Sequence, residues 1–268
     1  YKILAEHEHP VIRGLYRIQR NSDGLIGGWI ASESNLSQLG SCFVYDNAKV
    51  FGNAMVYDDA EVSGNAEVSG NAKVFDYARI YGDAEVSDNT RVSDNAVVSG
   101  NAVIYGRAKV FGNARIFDKA WVFDDAEVSG NAVIRDYARI CGDAEVSDNT
   151  RVCDNAVVSG NAVIRDYARI CDYAVVSGNA VIRDYARICD YAVVSGNAKV
   201  IDNARVCDNA AVLDYAKVCE GAEVSGKARI CENAEVSGNA RIRGNAEVSG
   251  HARIHGSHVI GGITQISE

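Results

Sequence analysis

"RDYARICDYAVVSGNAVI" runs from Arg165 to Ile182, and "RDYARICDYAVVSGNA" begins again at Arg183. A pocket enzyme needs different groups converging on one point, whereas a copied stretch sets the same groups at regular intervals along a line. The copy sits inside a finer rhythm. From Ala48 to Ala252 every sixth residue is Ala, except Thr90 and Thr150, which makes 35 consecutive hexapeptides. Two places after each of these stands Val or Ile, from Val50 to Ile254. Cys42/Val44 extends the pattern backwards, and His258/Ile260 and Thr264/Ile266 extend it forwards.

Alternation within each Ala-x-Val-x has a period of two, so Ala and Val share one side and the x residues share the other. The pair that follows, usually Gly or Asp and then Asn, Asp or Tyr, supplies a bend. We expect Gly and Asn there to take left-handed backbone angles. Strand and corner in every hexapeptide predict an all-β fold, a single-stranded parallel β-helix. Three hexapeptides make one triangular coil, and the perfect copy spans one whole coil. The 38 units from residue 42 to 264 give nearly thirteen coils with no loop interrupting them.

Residues 1 to about 40 do not obey the repeat. "LYRIQRNSDGLIGGWI" (Leu15–Ile30) alternates apolar and polar residues around Ser22-Asp23-Gly24 and predicts a β-hairpin. A solenoid end needs a cap over its unpaired strand edge. The expected division is therefore 1–40 as an N-terminal cap and 41–268 as the β-helix.

The hexapeptide pattern resembles the left-handed β-helix of the bacterial hexapeptide acyltransferase superfamily. That family usually places Gly directly after the aliphatic residue, where this chain has Ser, Cys, Arg or an aromatic. "GGWIASESNLSQLGSCFVYDNAKVFGNA" (Gly27–Ala54) is similar to the start of YdcK-like proteins, a bacterial and prophage-encoded β-helix family. The resemblance implies left-handed coils and no secure activity.

Composition narrows the function. Hydrophobic content is 47%, mostly small, with six Phe and two Trp, which suits a thin interior. No apolar run approaches the ~18 residues of a membrane helix, and "YKILAEHEHP" has no secretory-signal pattern. A net charge of −9 disfavours nucleic acid and anionic membrane. Eight cysteines lead us to expect free thiols in a reducing, cytoplasmic compartment.

Equivalent positions of successive coils stack, so candidate sites are sought as columns. Arg151, Arg169, Arg187 and Arg205 form one. Their repulsion, about 1 kcal/mol per adjacent pair in water, is expected to be offset by Asp154, Asp172, Asp190 and Asp208 at the following corners, or else used to bind an extended anionic polymer. Two places further on stand Cys153, Cys171, Cys189 and Cys207, a straight line that cannot converge tetrahedrally on zinc. We expect these thiols to stand in for Ser, with a redox or metal role as the alternative. Val157, Val175 and Val193, followed by Leu213, make a candidate association strip for a partner or a second copy. Tyr167/Tyr185 and Tyr173/Tyr191 should stack.

No catalytic residues are expected, and neither cofactor nor metal. His7 and His9 lie in the cap, and His251, His255 and His258 cluster near the end. No phosphate loop, nucleophile elbow or HExxH is present. The sequence thus points to a non-enzymatic β-solenoid scaffold or binding protein, with an acyltransferase-like enzyme working at an oligomer interface as the alternative.

Overall fold

In the computed structural model, which describes residues 1–267, two-residue strands recur in each hexapeptide from Phe43–Val44 to Arg253–Ile254 with almost no variation. The fold is a parallel β-solenoid. Among the described residues the helical content is a single 3-10 turn, Glu33–Asn35. Chain contacts divide the molecule into two compact units, Tyr1–Asn131 and Ala132 onward. In each, a strand pairs in parallel with its counterpart one coil later: Arg79 with Val97 in the first unit, Arg169 with Arg187 in the second.

The alternation decides what is buried. Every Ala and every Val or Ile of the repeat is fully buried from Ala48 to Val248, and so are Thr90 and Thr150. Burying one such aliphatic side chain contributes about 1.5–3 kcal/mol. The outward residues are thereby released from holding the fold and can differ from face to face.

The corners correct one expectation. Positive φ is held by Gly and by Asp, with Glu220 and Glu232 besides, and never by the Asn that follows. Only the second residue of each turn has φ > 0, the pattern of a type II′ turn. The turn is closed by a bond such as Ala174 N–H to Cys171 O at 3.3 Å. The Asp side chain supplies a reason for its choice. Asp172 Oδ2 accepts the backbone N–H of Asp190 at 3.3 Å, and Asp190 Oδ2 accepts that of Asp208 at 3.2 Å. Each carboxylate ties its corner to the next coil, offsetting left-handed strain of order 1 kcal/mol.

In the first unit the expected hairpin forms. Strands β1 (Lys2–Glu8), β2 (Tyr16–Gln19) and β3 (Ile26–Ile30) pair antiparallel in that order. β3 then pairs in parallel with the repeat, Ile30 opposite Val50, and Leu36 bridges Val56. Coil pairing thus begins before the first recognisable hexapeptide, with an offset two places longer than the repeat uses. Gly27 and Gly28 are required here: a Cβ on either would lie 2.5 Å from a backbone carbonyl, of Val44 or Ala48. Asn35 is fully buried with its amide satisfied on both sides. It accepts from Ser32 N–H at 2.8 Å and donates to Gly52 O at 3.0 Å and Ala54 O at 2.8 Å. The "GGW" and "NLSQ" stretches join the antiparallel strands to the coil.

Candidate binding face

In the second unit, Arg151, Arg169, Arg187 and Arg205 lead four successive strands of one sheet and pair directly with one another. Strand alternation turns the neighbouring Val152, Ile170, Ile188 and Val206 inward, where all are fully buried, and leaves the four guanidinium groups outside. Beyond Arg205 the column changes sign at Glu223, which pairs with Arg241 at 3.8 Å.

The corner aspartates make no ion pair with these arginines. Asp154, Asp172, Asp190 and Asp208 accept the next corner's backbone N–H instead, at 3.4, 3.3, 3.2 and 2.8 Å. The corners on the other side are occupied likewise: Asp166 and Asp184 bind the N–H of Asp184 and Asp202 and lie 3.9 and 3.7 Å from Arg165 and Arg183. Among the described residues, none of the four column arginines has a carboxylate within ion-pair distance; the ion pairs fall elsewhere.

Stacked tyrosines frame this face. Tyr167 and Tyr185 lie ring on ring at 5.0 Å on one flank, and Tyr173 and Tyr191 at 5.0 Å on the other, as the sequence predicts. All four rings are more than half exposed, so they are surfaces for a ligand as well as packing between coils. Asn149, Arg151, Tyr167, Arg169, Tyr185 and Arg187 line a groove of about 230 Å³ along the column. A groove of about 290 Å³ in the first unit mixes signs, with Asp59 and Glu61 beside Arg79. The coil alone thus does not make a groove cationic; the lining residues do.

The thiol column runs beside the arginines. Cys153, Cys171 and Cys189 are half-buried, and Cys207 is buried. Hydrogen bonding with Cys153 and Cys189 holds the Cys171 thiol well above the usual range, and the bond with Cys171 lowers Cys189. Burial pushes Cys207 up to about 11. The Cys207 and Cys189 thiols hold the Arg205 guanidinium above its usual range in turn. Cys189 Sγ, an Asp190 carboxylate oxygen and Cys207 Sγ all lie within 4.8 Å of one another.

The valine strip is less open than the sequence suggests. Val157, Val175 and Val193 pair in register and continue into Ala211, each half-buried by its neighbours above and below. Leu213 is half-buried as well but lies on the adjacent row, in line with Ser195. Arg139 and Arg229 bound the strip at its two ends.

A cavity of about 440 Å³ among the N-terminal strands includes Arg20 and Asp23, which pair with each other at 2.6 Å. His9 accepts the Ile12 N–H at 3.0 Å, and His255 meets the Ser237 hydroxyl at 3.0 Å. His258 bonds the His255 carbonyl. No helix among the described residues is long and apolar enough to cross a membrane.

Fold and face together define a β-solenoid repeat protein that presents identical side chains at one-coil intervals. Two stretches, residues 90–106 and 150–166, match the family model described as YdcK Beta solenoid repeat. The chain is a β-solenoid in which these two stretches are similar to that repeat. Among solved structures it is similar to UDP-N-acetylglucosamine acyltransferase from Campylobacter jejuni, at 19% identity and TM-score 0.32, over 66% of this chain and 67% of that one. So loose a likeness carries nothing about activity. No curated protein sequence matches the chain.

Proposed function

We propose that this chain is a non-enzymatic binding scaffold whose working surface is the arginine–tyrosine face of the second unit. Its ligand is an extended anion, of the acidic polysaccharide class. One observation carries the reading: four guanidinium groups in register with no carboxylate within ion-pair distance. An exposed guanidinium–anion contact contributes about 0.5–1 kcal/mol, and a bound polyanion also relieves the repulsion along the column. Four contacts therefore amount to about 2–4 kcal/mol, enough for salt-sensitive capture. The stacked tyrosine rings offer apolar platforms to sugar rings; the net charge of −9 opposes any polyanion away from this face, so binding is confined to it.

The test is retention on an immobilised uronic-acid polysaccharide at low ionic strength. Elution by salt is expected, and replacing Arg151, Arg169, Arg187 and Arg205 with Ser should abolish retention. Passage of the parent protein through the column unretained would refute the reading. Equal retention on single-stranded DNA would move the ligand to another class.

The alternative enzyme, an acyltransferase-like protein acting at an oligomer interface, needs an acyl donor site. Binding of acetyl-coenzyme A, lost on replacing His251 or His255, would support it over the scaffold. Left-handed coils, the cap role of residues 1–40, a bacterial or prophage origin and a cytoplasmic, reducing location complete the proposal. They are supported by the resemblance of residues 27–54 and by the eight thiols. Association of copies is assigned to the strip formed by Val157, Val175, Val193 and Leu213, since burying it desolvates no charge.

A further inference from the structure

We propose that Cys189 and Cys207 form a two-coordinate site for a soft monovalent cation of the Cu(I) type. The two sulfurs occupy equivalent outward positions on adjacent coils and lie within 4.8 Å of each other. A thiolate bond to a first-row d10 ion is about 2.3 Å long, so two such bonds in line span about 4.6 Å. The spacing that the β-sheet imposes on stacked side chains, about 4.8 Å, thus matches the sulfur-to-sulfur span of a linear S–M–S unit. A tetrahedral ion is poorly served. Zinc takes four ligands, and the group that meets here has three donors with no His. The third is weak: the Asp190 carboxylate is a hard donor, and its Oδ2 already accepts the Asp208 N–H at 3.2 Å. Soft thiolates with few other donors select Cu(I).

The surroundings fit the charge of the product. Each thiol loses one proton on binding, so two thiols and one M⁺ give a bis-thiolate complex of charge −1 and release two H⁺. Arg205 stands two places before Cys207 on the same outward row and pairs with Arg187 beside Cys189, so its positive charge offsets that of the product, with no carboxylate within ion-pair distance to compete for it. The pair is also sheltered, Cys207 being buried and Cys189 half-buried. Cys171, one coil below, also meets Cys189 and points toward the Ile188 carbonyl at 3.8 Å. Cys189 and Cys207 are the pair that meets with a third donor, Asp190, beside it, and the site is assigned to them.

The experiment uses the full chain, reduced and oxygen-free, with Cu(I) supplied from a chromophoric chelator. One Cu(I) per chain should be withdrawn, with two sulfur neighbours in its X-ray absorption spectrum. Cys189→Ser and Cys207→Ser should each weaken that equivalent by about 100-fold, although the other thiols remain to bind adventitiously. Cys219→Ser should leave it unchanged. Ser already stands at the same place on other rungs, at Ser63, Ser93 and Ser159, and an unaltered β-sheet circular dichroism spectrum confirms folding. Arg205→Ser should lower affinity about tenfold with the two-sulfur spectrum intact, and Arg205→Lys should restore it. Parent-like binding by Cys207→Ser would overturn the assignment. So would tighter binding of Zn(II) than of Cu(I) in the same competition.

Discussion

Thr90 and Thr150 provide a matched pair inside one molecule. Residues 82–104 and 142–164 are identical except that Ser93 is replaced by Cys153. Both threonines stand where the repeat has Ala, and both are fully buried. Thr150 Oγ1 donates to the Ser147 carbonyl at 2.6 Å, whereas Thr90 Oγ1 is buried with no hydrogen-bond partner. A buried hydroxyl without a partner costs about 1–3 kcal/mol, and exchanging it for a methyl group of the same shape adds about 0.8 kcal/mol of burial. Thr90→Val should therefore stabilise the protein by about 1–3 kcal/mol. Thr150→Val loses a hydrogen bond of net worth about 0.5–1.5 kcal/mol and gains the same methyl burial, so it should be near neutral. Repeat proteins unfold by local steps, so the measurement is amide exchange at the rungs around each site, supported by urea midpoints. The reporter at Thr90 is the Lys73 amide, which donates to the Thr90 carbonyl at 2.9 Å. Equal responses at the two sites, or a loss of protection in Thr90→Val, would refute the reasoning.

Two further predictions address the coil and the strip. Deleting residues 161–178, whose sequence is repeated by 179–196, removes one coil and keeps every column in register; it should fold, lose about one coil's share of stability and still bind polyanion, and global unfolding by circular dichroism would contradict this. Deleting only residues 173–178 keeps the inward pattern but turns every later face by one side, separating Arg169 from Arg187 while leaving Cys189 and Cys207 one coil apart; polyanion retention should disappear while Cu(I) binding persists. Changing Val157, Val175 and Val193 to Lys should reduce the mass of any dimer or larger species seen by light scattering, and an oligomer that survives the change lies on another surface.

The core was legible because one rule, Ala and Val inward at a period of six, applies to almost every residue that builds it. Corner chemistry was only half legible. Gly was assigned correctly, but Asp rather than Asn takes the left-handed position, because its carboxylate reaches the N–H of the next coil, a partner far away in sequence. The same bond bears on the electrostatic expectation: Asp172 closely follows Arg169, yet its Oδ2 is turned to Asp190 N–H and makes no ion pair with that arginine. The first coil escaped detection because the 3-10 turn at Glu33–Asn35 stretches its offset beyond one regular coil and breaks the period. The arginine and cysteine columns were read as columns, since period alone fixes them. The meeting of Cys189, Asp190 and Cys207, and the groove shared with Tyr167 and Tyr185, depend on side-chain reach and had no signature in the sequence.

The two kinds of internal copy separate what the fold requires from what a face requires. The stretch 82–104 recurs at 142–164, ten hexapeptides later, and ten is not a multiple of the three that make a coil. That copy preserves the hexapeptide and hence the core, but Arg91 and Arg151 fall in different columns. The copy of 161–178 at 179–196 is offset by one whole coil, and it places Arg on Arg, Cys on Cys and Tyr on Tyr. Stability needs only the hexapeptide rule, which either copy satisfies. In-register guanidinium groups repel by about 1 kcal/mol per pair, so an exact one-coil copy is the less favourable choice for a chain that has only to fold. The arginine column itself runs over four coils, bracketed by Val133 on one side and Glu223 on the other, which is the arrangement that the proposed ligand, reading the face at one-coil intervals, requires. If that is so, replacing alternate members, Arg169 and Arg205, should cost more retention than replacing the adjacent pair Arg187 and Arg205, because the first leaves no two neighbouring guanidinium groups and the second leaves Arg151 beside Arg169. Equal losses would mean that the face is read by its total charge and not by its spacing.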